Sequence, residues 1–166
     1  MKQLTVCAVL VSSTFAMQAY ANSTSIQVRA LNPSVCEISS NQLLLDLKNP
    51  STQQTATANL TMKCNDFNGA KVTMISSQGG LEADDGIPDD YSLSYKATFT
   101  PTGLPSLEFT TPGGNGTNNL ESSAMSYPGS LDLASGVAAV LEVTNVDTAP
   151  WAGGYSDTIT MNITAN

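Results

Sequence analysis

A two-residue alternation of apolar and polar side chains recurs along this chain and restricts what it can fold into. In residues 56–64, Ala56, Ala58, Leu60, Met62 and Cys64 fall on one side, and Thr57, Asn59, Thr61 and Lys63 on the other. That is the period of a β-strand with one buried face. The longest run closes the sequence: Tyr155, Asp157, Ile159, Met161, Ile163 and Ala165 alternate with Ser156, Thr158, Thr160, Asn162 and Thr164. Shorter runs carry Ile26, Val28 and Ala30; Leu43, Leu45 and Leu47; Leu93, Tyr95, Ala97 and Phe99; and Val137, Ala139, Leu141 and Val143. Residues 35–38, residues 72–75, and Leu107 with Phe109 are strand-like but brief. Asn49-Pro50, residues 65–69, Pro101 and residues 111–119 mark turns. Beyond residue 21 no helical period of useful length occurs, and Leu131 with Leu133 is too short to assign. Short alternating strands divided by turn residues are the pattern of an all-β sandwich.

Residues 1–21 stand apart. Lys2, an apolar stretch over 4–17 and the small-x-small triplet Ala19-Tyr20-Ala21 make a secretory signal peptide, too short and wrongly flanked for a membrane span. Cleavage after Ala21 is expected to leave 166 − 21 = 145 residues, enough for one domain. Cys7 leaves with the signal, so Cys36 and Cys64 remain. An even pair in an oxidising compartment is expected to form one disulfide, the alternative being two buried thiols. The closed loop of 64 − 36 = 28 residues is worth roughly 3–4 kcal/mol by the chain-entropy account. Cys64 is in phase with the apolar face, where such a bond would pin two strands together.

The charge balance excludes some partners. After cleavage, Arg29, Lys48, Lys63, Lys71 and Lys96 face 14 acidic residues, a formal charge of 5 − 14 = −9. That balance repels nucleic acid and anionic membrane surfaces. No catalytic set emerges. There is no His, no Gly-x-Ser-x-Gly and no phosphate-binding loop. Asp84-Asp85 and Asp89-Asp90 fall in the polar stretch 78–90, read as a solvated surface loop. Their spacing is not that of an EF-hand, so calcium there is the minor reading. Trp151 and Tyr155 are read as core or loop anchors ahead of a sugar platform. No enzyme activity, cofactor or metal is expected.

The two ends raise a question of pairing. Edge strands are usually blunted by Lys, Pro or charge. Residues 159–163 carry none of these, and residues 26–30 carry only Arg29. Either both strands close one sandwich, or the N-terminal strand adds to a neighbouring molecule by β-augmentation. Pro33 separates it from residues 34–39.

Four features together resemble subunits of chaperone–usher pili, and within them the archaic branch with the spore coat U domain. They are an exported chain with an alternating N-terminal segment; Cys36-Glu37-Ile38-Ser39 shortly after it; Cys64 at the end of the next long strand; and the ending Gly153-Gly154-Tyr155-Ser156-Asp157-Thr158 followed by Ile159, Met161 and Ile163. Leu43-Leu44-Leu45-Asp46 stands where such domains often show an aromatic and glycine motif. The resemblance implies an incomplete immunoglobulin-like β-sandwich (residues 34–166) completed by a donor strand from a neighbouring subunit. Residues 22–33 would be the donor extension, with Ile26, Val28 and Ala30, and Thr24 as a fourth, entering the neighbour. Ile159, Met161 and Ile163 would line this subunit's own acceptor groove, and Cys36–Cys64 would be its structural disulfide. The implied partners are like subunits in a head-to-tail polymer, a periplasmic chaperone and an outer-membrane usher. The implied destination is a surface pilus supporting adhesion or biofilm formation. The alternative is a stand-alone secreted binding module, a single-domain adhesin.

Overall fold

The computed structural model describes residues 24–84, 91–114 and 117–166. The expected signal peptide lies outside them. Contacts divide the chain into a unit ending at Asn32 and a unit Pro33–Asn166. In the first, residues 24–32 carry no helix or strand, and Ile26, Val28 and Leu31 are exposed.

The second unit is nearly all β. One antiparallel sheet runs in the order β1 (Cys36–Ser40), β2 (Thr55–Cys64), β10 (Val137–Asn145), β6 (Tyr95–Pro101), β7 (Leu107–Thr110). Its inward face interdigitates large with small. The register sets Leu141 between Ala58 and Phe99, Ala139 between Leu60 and Pro101, and Val143 between Ala56 and Ala97. Large side chains thus lie beside small ones in neighbouring rows. A second sheet centres on β3 (Ala70–Ser76). Its partner on one side is β12 (Ile159–Ala165); its others are the short β8 (Leu120–Glu121) and β9 (Met125–Tyr127). A third, small sheet is β11 (Tyr155–Ser156), β4 (Leu81–Ala83) and β5 (Ser92–Leu93). Met62, Phe99 and Leu141 of the first sheet share one core with Val72, Met74 and Tyr127 of the second.

The strand phases expected over residues 56–64 and 137–143 are those observed. The expected run Leu93 to Phe99 is divided: residues 92–93 pair with β4, while residues 95–101 pair with β10 and β7. Three further expectations are corrected, and one unassigned stretch takes a definite form. The alternation of Leu43, Leu45 and Leu47 produces no strand; residues 42–48 form no ladder. The closing run is two strands, since residues 155–156 join β4 while residues 159–165 join β3. The stretch 78–90 contains β4, and its residues 85–90 lie outside the described ones. Finally, residues 131–135 form a one-turn helix, α1. The Ser130 hydroxyl caps it by accepting from the Leu133 N–H, and Leu133 is buried.

The β2–β3 turn depends on Gly69. Its φ of 95° is left-handed, and a Cβ there would collide with the backbone carbonyl of Tyr127.

Candidate functional site: an apolar groove between two strand edges

β1 pairs only with β2, and β12 only with β3, among the described residues. Each therefore leaves one edge of N–H and C=O groups free. The two edges approach one another across the layers. Between them opens a groove of about 410 Å³. Leu60, Leu141 and Val143 form its floor, Ile38 stands on the β1 side, and Ile159 and Met161 stand on the β12 side.

Two devices hold the walls. On one side Cys36 and Cys64, partners in the β1–β2 register, form the disulfide. Asn65 continues that fastening: its side-chain oxygen accepts from the Val35 N–H at 2.7 Å, and its amide donates to the Pro33 carbonyl at 2.9 Å. On the other side the device is polar. Asp157, just ahead of β12, lies at the end of the groove beside Tyr95. One carboxylate oxygen accepts from the Ser77 hydroxyl, the Gln78 N–H and the Thr158 N–H; the other accepts from the Ser76 hydroxyl and from the Tyr95 hydroxyl at 2.7 Å. The carboxylate thus ties β3, β6 and β12 at one point. Burial holds the Tyr95 phenol far above the ordinary tyrosine range, and the neighbouring Asp157 carboxylate pushes the same way.

The apolar face of β12 is incompletely covered. Ile159, Met161 and Ile163 are each half-buried, whereas Val72, Met74 and Ser76 of the adjacent β3 are fully buried. Part of the groove's rim is residues 42–47. Leu45 and Leu47 are half-buried there, while Leu43 and Leu44 are 97% and 76% exposed.

Of the residues singled out in the sequence, Cys36 and Cys64 are brought together. Ile159 and Met161 face the groove, and Ile163 lies beyond its lining. Thr24, Ile26, Val28 and Ala30 are exposed in the first unit. Asp85, Asp89 and Asp90 lie outside the described residues, and Asp84 accepts from the Ser156 hydroxyl at 3.2 Å. Trp151 meets Tyr91 edge to face at 5.0 Å, and its carbonyl accepts from the Tyr155 hydroxyl at 3.1 Å, so both rings fasten loops. Sequence reasoning missed the role of Asp157, although it had a signal. A carboxylate in phase with Tyr155 and Ile159 on an apolar face must find donors. Leu43, Leu45 and Leu47 alternate in the sequence, but nothing in their pattern reveals that they border a groove.

No protein-family model, curated protein or solved structure matches the chain.

Proposed function

We propose that this chain is a structural subunit of a bacterial surface fibre, a pilus or fimbria, assembled by the chaperone–usher route through donor-strand exchange. The observation that carries the reading is the groove: an apolar trough between two free strand edges, beside a β12 whose apolar face is only half covered. Such a trough suits one extended strand. Side chains two residues apart would enter it, and the backbone would pair with an edge. On this reading the domain is an immunoglobulin-like sandwich lacking one strand, and Thr24, Ile26, Val28 and Ala30 of a neighbouring copy supply it.

Burying three or four such side chains stabilises the joint by on the order of several kcal/mol. The contact is head-to-tail and does not close on itself, so it builds a fibre and not a dimer. A periplasmic chaperone would shield the groove during export, an outer-membrane usher would deliver the subunit to the cell surface, and the role is mechanical and adhesive, not catalytic.

The test compares the chain beginning at Asn22 with one beginning at Asn32. After thermal cycling, the longer chain should form heat-resistant ladders on denaturing gels, and the shorter should stay monomeric with its fold intact. Monomers from the longer chain would overturn the reading. Unfolding of the shorter chain alone would favour the stand-alone secreted module.

A further inference from the structure

The small sheet of β11, β4 and β5 carries a row of side chains that the proposed fibre contact does not use. Tyr155 stands opposite Ala83 in the β11–β4 register. On the other side of β4, the Ala83 N–H donates to the carbonyl of Tyr91, one residue before β5, at 2.8 Å. Residues opposite one another in neighbouring strands share a face. Tyr91 and Tyr155 therefore flank the small Ala83 on one face, their backbones two strand spacings, about 10 Å, apart. The next row on that face turns inward, with Leu93 fully buried and Leu81 half-buried. The Ala83 row continues this apolar face towards solvent, and its three residues are half-buried. Trp151 joins them. Its indole meets the Tyr91 ring edge to face at 5.0 Å, its carbonyl accepts from the Tyr155 hydroxyl at 3.1 Å, and it remains 48% exposed. The chain on either side of Trp151 is fastened by the Ala149 N–H to the Pro50 carbonyl and by the Asp84 N–H to the Gly154 carbonyl, both at 2.8 Å. The rings are thus fixed before anything binds, which lowers the cost of ordering them. The row carries no charge. Glu82 and Asp84 alternate onto the reverse of the sheet, where Asp84 accepts from the Ser156 hydroxyl.

We propose that Tyr91, Ala83, Tyr155 and Trp151 form a binding face for a neutral saccharide. One side of a pyranose ring presents apolar C–H groups with a small positive charge, which suits the negative face of an aromatic ring. Its hydroxyls then point to the rim, where the Tyr155 oxygen can accept because its own proton is engaged by the Trp151 carbonyl. Trp and Tyr give such a contact large, rigid area that is apolar in the body and polar at the tip. Charge selects a neutral ligand. An anion would meet a strongly acidic chain. A cation would be drawn to the rings, but the two carboxylates that would complete its site face the other way. None of the four residues lines the groove, so this site is independent of the subunit reading and survives its failure.

Trp151 is the only Trp in the sequence, so the fluorescence of the full chain reports on this face directly. Titration with lactose, cellobiose and diacetylchitobiose should give, for at least one of them, a saturable change in emission with a midpoint in the millimolar range. No saturable change with any of the three would overturn the inference. An equal response to cyclohexanol, a ring without the sugar's hydroxyls, or to choline would also overturn it, since the face would then be a general apolar or cation-binding one. Tyr91→Ala removes one wall, and Ala83→Leu fills the floor between the tyrosines. Each should weaken the response about tenfold or more while circular dichroism stays unchanged. Glu82→Gln, on the reverse of the same strand, should leave it as it was. An undiminished response in both Tyr91→Ala and Ala83→Leu, or an equal loss in Glu82→Gln, would remove this face as the site.

Discussion

β10 and β12 are written in the same alternating code and have different fates. Val137, Ala139, Leu141 and Val143 are all buried, because β10 is flanked by β2 and β6; even Leu141 and Val143, which floor the groove, are only 7% and 4% exposed. Ile159, Met161 and Ile163 are larger on average and only half-buried, because β12 has β3 on one side and a groove on the other. Alternation therefore tells which face of a strand is apolar, but not what covers that face. The uncovered face is the informative one. Contiguous apolar surface left open next to an unpaired edge is where a sandwich meets another chain.

Equivalent truncations in the two strands should separate them most strongly. Leu141→Ala is expected to lower the unfolding free energy of the monomer by about 2–5 kcal/mol through cavity formation. Met161→Ala, at a half-covered position, should cost about 1–2 kcal/mol. Urea unfolding of both variants checks this, and equal losses would break the contrast between core strand and groove wall. Asp157→Asn sharpens the same contrast from the polar side. It turns one acceptor of the five-donor cluster into a donor, and should cost about 2 kcal/mol, read as a lowered thermal midpoint. An unchanged midpoint would mean that β12 is held by its β3 ladder alone.

The smallest effect belongs to Tyr127, in the core and outside the groove lining. Its hydroxyl is buried without a partner among the described residues, and burial pushes its pKa up to about 12. Tyr127→Phe should be neutral at pH 7, or stabilising by up to about 1 kcal/mol. Above the ordinary phenol pKa of about 10 the unfolded chain releases this proton first. Its contribution is thus complete below pH 10 and is lost as pH rises towards 12. Urea midpoints from pH 9 to pH 12 should fall less steeply in the Phe variant. Parallel curves would remove Tyr127 from the alkaline response.

Much of the fold is legible in the residues, and the misses share a cause. Residues 56–64 and 137–143 could be phased because their neighbours on both sides agree with the local pattern. The partnership of Cys36 and Cys64 could be read because only two cysteines survive the expected signal cleavage. The split at Asp157 could not, because a run alternating from Tyr155 to Ala165 gives no local sign of changing sheets. The reason lies 81 residues away, in the Ser76 hydroxyl that draws the carboxylate inward. Residues 42–47 mislead for the opposite reason: their pattern suits a strand, but among the described residues they have no ladder partner.

The sequence by itself determined that this chain is built of strands, which side of each strand is apolar, and where it turns, because those properties depend on neighbours one to three residues apart. Only the tertiary structure decided which edges stay open. It set β1 and β12 across from each other, left a trough between them, and gave the Asp157 carboxylate its donors from β3, β6 and the residues flanking β3 and β12. Those outcomes depend on pairings between residues far apart in the chain, and no period along the chain encodes them.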